Sequence, residues 1–276
     1  MKWPILLVLA TFATAFTPRV VAADNPTPAH ESFTIDSAAL KEARHINVYM
    51  PPRYAADNHA RYPVLYMPDG GLDEDFPHVA SDVDSAIRAG EMRPMIVVGI
   101  VNTERRRDMT GPTEVDSDRK IAVHVGGSAA FRAFIADELM PEVRRRYRTS
   151  GKTAIVGESL AGLFVVETFF EQPELFDTYI ALSPSLWWNH ENLVDGAAAH
   201  LQAWPPGLKR TLYFASASDD DIGNAVETLQ AALRSTAPPE LTWHYQQWPD
   251  LHHSDIYKRA SPTVFRQQFA QRTGRY

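Results

Sequence analysis

The segment AIVGESLAGLFVV, Ala154 to Val166, is apolar at both ends and polar at its centre. Its first run has the length of a buried strand, and its second the composition of a core helix. Between them stand Glu158 and Ser159, flanked by Gly157, Ala161 and Gly162. Packing alone gives no reason for that polar pair. Gly157-Glu158-Ser159-Leu160-Ala161 matches G-x-S-x-G except at its last position, where alanine stands and Gly162 follows. In that motif small residues let a strand close tightly onto a helix, and the serine hydroxyl stands clear of the sheet. The pattern points to Ser159 as a nucleophile, with the Leu160 N–H at the helix start as an oxyanion donor. The competing reading is a serine that only caps a core helix.

Outward from this junction the chain alternates strand and helix signals. HINVYMPP, YPVLYMPDGG, PMIVVGIV, KTAIVGES, TYIALSPS, TLYFASAS and LTWHYQQW read as strands. PHVASDVDSAIRAG, SAAFRAFIADELMPEVRRRYR, LAGLFVVETFFEQ, NAVETLQAALRS and TVFRQQFAQR read as helices. Ser128 is placed to cap the second of these, and its late arginines suit the negative end of the helix dipole. Short apolar strands between amphipathic helices imply a mostly parallel central sheet with helices on both faces, in a single α/β domain. Ligands of such sheets bind beyond the carboxyl ends of the strands. The chemistry is therefore expected in the segments that follow each strand.

Composition narrows the function further. A formal net charge of -7 argues against a general nucleic-acid-binding role. The chain has no cysteine, which excludes disulfides, cysteine-ligated metal and a thiol nucleophile. The apolar run from Pro4 to Phe16 follows Lys2 and is too short to span a bilayer, which takes about 20 residues. Val21-Ala22-Ala23 fits the small-residue rule for cleavage before Asp24. Residues 1–23 are therefore expected to be a signal peptide and 24–276 the folded domain. Export to the periplasm or the medium follows, with no stable membrane insertion after cleavage.

A serine nucleophile needs a base, and the base an orienting acid. In this chain order the acid comes next and the histidine last. FASASDDD supplies Asp219, Asp220 and Asp221 after one strand, and WPDLHHSDIY supplies His252 and His253 after the final strand. The acids could instead serve the positive end of the following helix. A second oxyanion donor is expected from MPDGGLDEDF, where Gly70-Gly71 permits close backbone approach.

Five stretches in order carry a resemblance: YPVLYMPDGG, VVGIVNTERRRDMTGP, GESLAGL, YIALSPSLWWN and PDLHHSDIY. Together they resemble the putative-esterase family of α/β-hydrolases, which includes enterobactin and ferric-bacillibactin trilactone esterases. The resemblance implies the α/β-hydrolase fold, Ser159 as nucleophile and His253 as base, with His252 as the fallback. The His253 assignment rests on the His-x-x-Ile spacing to Ile256. It implies an acid at Asp219 or Asp220, and Gly71 beside Leu160 in the oxyanion hole. Ala161 is its departure from the family pattern. Arg107, Trp187 and Trp188 follow strands and are candidate contacts for an aromatic or anionic acyl group. The alternative for Arg107 is ion pairing with Asp108 and Glu104, and for the tryptophans packing against the core. The expected activity is hydrolysis of carboxylic esters, siderophore or aryl esters among them, without metal or organic cofactor. A non-catalytic ligand-binding module and an acyltransferase using the same serine are the rival readings.

Overall fold

Each of the seven strand-like runs named above becomes a strand, and one further strand completes an eight-stranded sheet. The structure, a computed structural model, describes residues 27–219 and 223–271. The expected signal peptide and Asp220 lie outside the described residues. The strands are β1 (His30–Ser37), β2 (Glu42–Tyr49), β3 (Tyr62–Met67), β4 (Ile96–Ile100), β5 (Thr149–Glu158), β6 (Thr178–Leu182), β7 (Arg210–Ala217) and β8 (Leu241–Trp248). Their spatial order is β1-β2-β4-β3-β5-β6-β7-β8. The β1–β2 and β2–β4 pairs are antiparallel, and all others are parallel. This is the α/β-hydrolase arrangement expected from the sequence, with β5 near the middle.

The helices are α1 (Phe76–Arg88), α2 (Arg105–Asp108), α3 (Asp116–Arg119), α4 (Ser128–Ala133), α5 (Met140–Arg146), α6 (Leu160–Glu171), α7 (Asn192–Asp195), α8 (Ala197–Gln202), α9 (Gly223–Thr236) and α10 (Ile256–Phe269). A π-helical turn, Phe134–Leu139, joins α4 to α5. Helices α1 and α10 pack on one face, where Val79, Val83, Val264 and Phe265 meet Leu65, Val97 and Val156. On the other face α6 and α9 bury Phe164, Phe169 and Leu229 against Tyr66, Ile155 and Phe214. Strand β5 is thus covered on both sides, as its unbroken apolar run requires.

Three local readings differ from the structure. Strand β1 was not marked in the sequence, because HESFTIDS is largely polar and forms an edge that is buried only along part of its length. Helix α4 starts from Gly127, and Ser128 Oγ donates to Glu167 Oε1 at 2.5 Å instead of capping. Helix α10 begins seven residues before the expected start at Thr263 and runs through Pro262. Pro262 lies in the second turn, where it removes one N–H bond and its ring crowds the preceding turn, a cost the buried packing of Ile256, Val264 and Phe265 offsets. The longer helix carries Tyr257 and Lys258 to the carboxyl edge of the sheet.

Behind that edge lies a buried ion pair. Arg44 on β2 and Asp108 in α2 are both fully buried, and the Arg44 Nη2 donates to the Asp108 carboxylate. Asp108 also accepts from Arg107 Nε at 2.7 Å, and Arg44 reaches Glu42 at 2.8 Å. Removing one partner of such a cluster leaves an uncompensated charge in the core. Asp108→Ala is expected to cost about 3 kcal/mol or more of unfolding free energy. The shift of the midpoint in urea denaturation measures it.

Candidate active site

The turn after β5 is as tight as the sequence implies. Ser159 sits at φ 59° and ψ -120°, a backbone region that costs a non-glycine residue about 1–3 kcal/mol. Backbone bonds hold it there. Its N–H donates to Leu182 O at 3.0 Å, and its carbonyl accepts from Leu163 N at 2.9 Å and Ser185 N at 3.0 Å. A Cβ on Gly157 would come within 2.5 Å of the Ala161 carbonyl carbon, so the strand side of the turn must be glycine. Gly162 approaches Pro184 in the same way, at 3.0 Å from a built Cβ. Ala161 is fully buried and fits because Gly157 opposite it carries no side chain. The departure from glycine at Ala161 therefore leaves the elbow geometry intact.

His253 lies in the loop between β8 and α10, and its Nε2 is 3.1 Å from Ser159 Oγ. His252 is placed differently, since its Nδ1 is 3.3 Å from Asp219 Oδ2. Asp219 Oδ1 accepts from the His253 backbone N–H at 2.7 Å, which fastens the histidine loop to the end of β7. Ser218 N–H reinforces the same junction by donating to Leu251 O at 2.8 Å. Ser185 Oγ lies 3.4 Å from Ser159 Oγ and comes from the loop after β6.

The loop after β3 is pinned under the site. Gly70 N–H donates to Ile100 O at 2.9 Å, and Asn47 Nδ2 donates to Gly70 O at 2.8 Å. A Cβ on Gly70 would lie 2.1 Å from Ile100 N, so only glycine fits. The Gly71 N–H, read from sequence as an oxyanion donor, gives its hydrogen to Glu74 Oε2 at 2.7 Å. A bound substrate must draw that N–H away from Glu74 to use it. The Leu160 N–H begins α6, where the first N–H groups have no partner within the helix.

Of the three expected substrate contacts, Arg107 and Trp188 are engaged elsewhere. Arg107 binds Glu42, Glu104 and Asp108, the ion-pairing alternative, and does not line the serine pocket. Trp188 is buried, donates its Nε1 to Gly111 O at 2.9 Å, and borders a separate cavity with Arg132 and Glu167. Trp187 is 39 % exposed and tilts against Trp188 at 5.9 Å between ring centroids. The arginine that does face the serine is Arg105. It grips Asp69 with Nε at 2.6 Å and Nη2 at 2.9 Å, and Asn102 Nδ2 donates to the same carboxylate at 2.5 Å.

Asp75, Arg105, Glu158, Ser159, His253 and Tyr257 line a cavity of about 320 Å³, with Ser254 and Lys258. Glu158, the polar residue before Ser159 at the end of β5, faces the base. Its Oε1 is 3.2 Å from His253 Nε2. Burial pushes its carboxyl up to about 7, offset by His253 and Arg105 and reinforced by Asp69 and Asp75. Tyr257 is driven the same way by burial among those carboxylates, and among the described residues its hydroxyl has no hydrogen-bond partner.

The fold and this arrangement are of the α/β-hydrolase type. Residues 37–276 match the family described as "Putative esterase", and the chain belongs to that family. It is 35 % identical over 151 residues to the ferri-bacillibactin esterase BesA of Bacillus subtilis, covering 47 % of this chain and 50 % of that protein. It is 34 % identical over 127 residues to the siderophore enterobactin esterase of Emericella nidulans, covering 40 % and 42 %. The matched segments thus span half or less of these curated relatives. The crystal structure of an IroE-like serine hydrolase from Shewanella oneidensis superposes with a TM-score of 0.78 at 25 % identity, over 87 % of this chain and 80 % of that one.

A carboxyl whose folded value lies above its unfolded one stabilises the fold only while it is protonated. For Glu158 that contribution is full below pH 4.5 and is lost as pH rises through about 7. Glu158→Gln is therefore expected to match the parent in Tm near pH 4.5 and to exceed it at pH 8. Thermal unfolding at the two pH values checks the sign.

Proposed function

We propose that the protein is an exported serine esterase that hydrolyses carboxylic esters through an acyl-enzyme. The observation that carries this is His253 Nε2 at 3.1 Å from Ser159 Oγ on a strained strand-to-helix turn. Nucleophile and base at hydrogen-bond distance are what acyl transfer requires. His253 takes the serine proton as Oγ attacks the ester carbonyl. The Leu160 N–H, joined by the Gly71 N–H once it turns from Glu74, supports the oxyanion. His253 then returns the proton to the leaving alcohol, and water repeats the sequence in reverse roles.

The acid of the triad belongs to Asp219 or Asp220. Asp219 already steadies the histidine loop through the His253 N–H. Among the described residues no helix is long and apolar enough to cross a membrane. Export rests on Lys2, the Pro4–Phe16 run and Val21-Ala22-Ala23. Siderophore esters are the favoured substrates because both curated relatives bear names of siderophore esterases. Arg105 and Lys258 on the cavity wall suit an anionic or catecholate acyl group.

Purified protein is expected to hydrolyse p-nitrophenyl butyrate and to take up a fluorophosphonate at Ser159. Ser159→Ala and His253→Ala are each expected to lower kcat/KM by roughly three orders of magnitude or more. Unchanged turnover in Ser159→Ala would sink the assignment. No covalent fluorophosphonate adduct at Ser159 would point to the binding-module alternative. Faster transfer to an added alcohol than to water would point to an acyltransferase. A panel of aryl esters and trilactone siderophores then ranks substrates by kcat/KM.

A further inference from the structure

Glu158 has no part in the scheme above, yet it adjoins the nucleophile and faces the base. Its side chain is only 16 % exposed, and among the described residues His253 Nε2 is its one ion-pair contact, at 3.2 Å. The groups around it come from every neighbouring element. Asp69 follows β3, Asp75 precedes α1, Arg105 opens α2, and Tyr257 and Lys258 lie on α10. Arg105 is already committed to Asp69 through two hydrogen bonds. A carboxylate withdrawn from water with so few donors is costly, and such groups concentrate where the charge is used.

The nitrogen that faces Glu158 also faces Ser159 Oγ, at 3.1 Å. One imidazole nitrogen offers either a lone pair or a hydrogen, never both. In the resting base the Nε2 lone pair accepts from Ser159. After proton transfer the new N–H has a carboxylate beside it. We propose that Glu158 is a positioning residue for His253, whose carboxylate holds and stabilises the Nε2–H imidazolium formed during acyl transfer. This rests on the Ser159–His253 reading.

The step balances without an outside proton. The Ser159 Oγ–carbon bond forms, the carbonyl π pair moves onto its oxygen, and the serine proton passes to His253 Nε2. When the carbon–oxygen bond to the alcohol breaks, that proton goes to the leaving oxygen. Glu158 takes no proton in either step, and its ionised form, populated above about pH 7, supplies charge alone.

The test compares the parent with Glu158→Gln, which keeps size and removes charge. The plateau of kcat/KM is expected to fall about ten-fold, less than the roughly 10²–10⁴-fold that a direct acid or base supplies. The rising limb of its pH profile is expected to move about one unit lower, because a carboxylate within about 4–6 Å raises an imidazole by at least that much. A second readout avoids turnover. In a Ser159→Ala background, NMR titration of the His253 imidazole, assigned by its loss in His253→Gln, is expected to shift the same way when Glu158→Gln is added. Failure of either shift, with the parent active, overturns the proposal while leaving the esterase reading in place. A parent that neither turns over nor takes up fluorophosphonate removes the esterase reading itself, and the NMR titration then still decides whether Glu158 tunes His253.

Discussion

The backbone of Ser159 is held at φ 59° by neighbours that outlast any one side chain. Leu182 O takes its N–H, while Leu163 N–H and Ser185 N–H share its carbonyl. These bonds tie the end of β5 to the first turn of α6 and to the loop after β6. An outlier of this kind persists only where the surroundings over-determine it. Here two buried faces of sheet and the close contact at Gly157 do so. The hydroxyl is then forced out beyond the carboxyl edge, where the loops after β3, β7 and β8 converge.

Those loops are fixed by polar contacts, because a loop at a sheet edge has little apolar surface to bury. Asn47, Asn102 and Arg105 hold the loop after β3 through Gly70 O and Asp69. Asp219 and Ser218 hold the loop after β8 through the His253 N–H and Leu251 O. The site is therefore a set of strand ends fastened to one another. Its accuracy depends on these hydrogen bonds, and the buried one from Asn47 to Gly70 O has the most to lose if its partner is removed.

Much of this was legible in the residues. Seven of the eight strands announced themselves as apolar runs, since a doubly covered strand must be apolar on both faces. Ser159 was legible because a polar pair at a strand-to-helix junction has no packing explanation. His253 was legible from chain order and from its spacing to Ile256. The edge strand β1 was not, since a largely polar stretch at a sheet edge carries no strong period. Nor was Glu42 as a partner of Arg107, because it lies 65 positions away and only the fold adds it to the nearby Glu104 and Asp108. Trp188 looked like a pocket wall and is a core residue whose Nε1–H needs Gly111 O. Glu158 was in view from the start, but its meaning depends on a histidine 95 positions later in the chain.

The acid slot shows why sequence position and chemical role separate. Asp219 stands where a triad acid is expected, and it acts on the main chain of His253 as well as on the His252 ring. An imidazolium can be stabilised by negative charge on any side of the ring, since the interaction falls only slowly with distance in a dry site. Glu158 supplies such charge from the Nε2 side, at the cost of a carboxyl held near neutrality by burial. The same residue then weakens the fold above pH 7 and favours the charged intermediate of the reaction. A stability penalty sited beside the nucleophile, where a glutamine of equal size would avoid it, is what a functional carboxylate leaves in a structure.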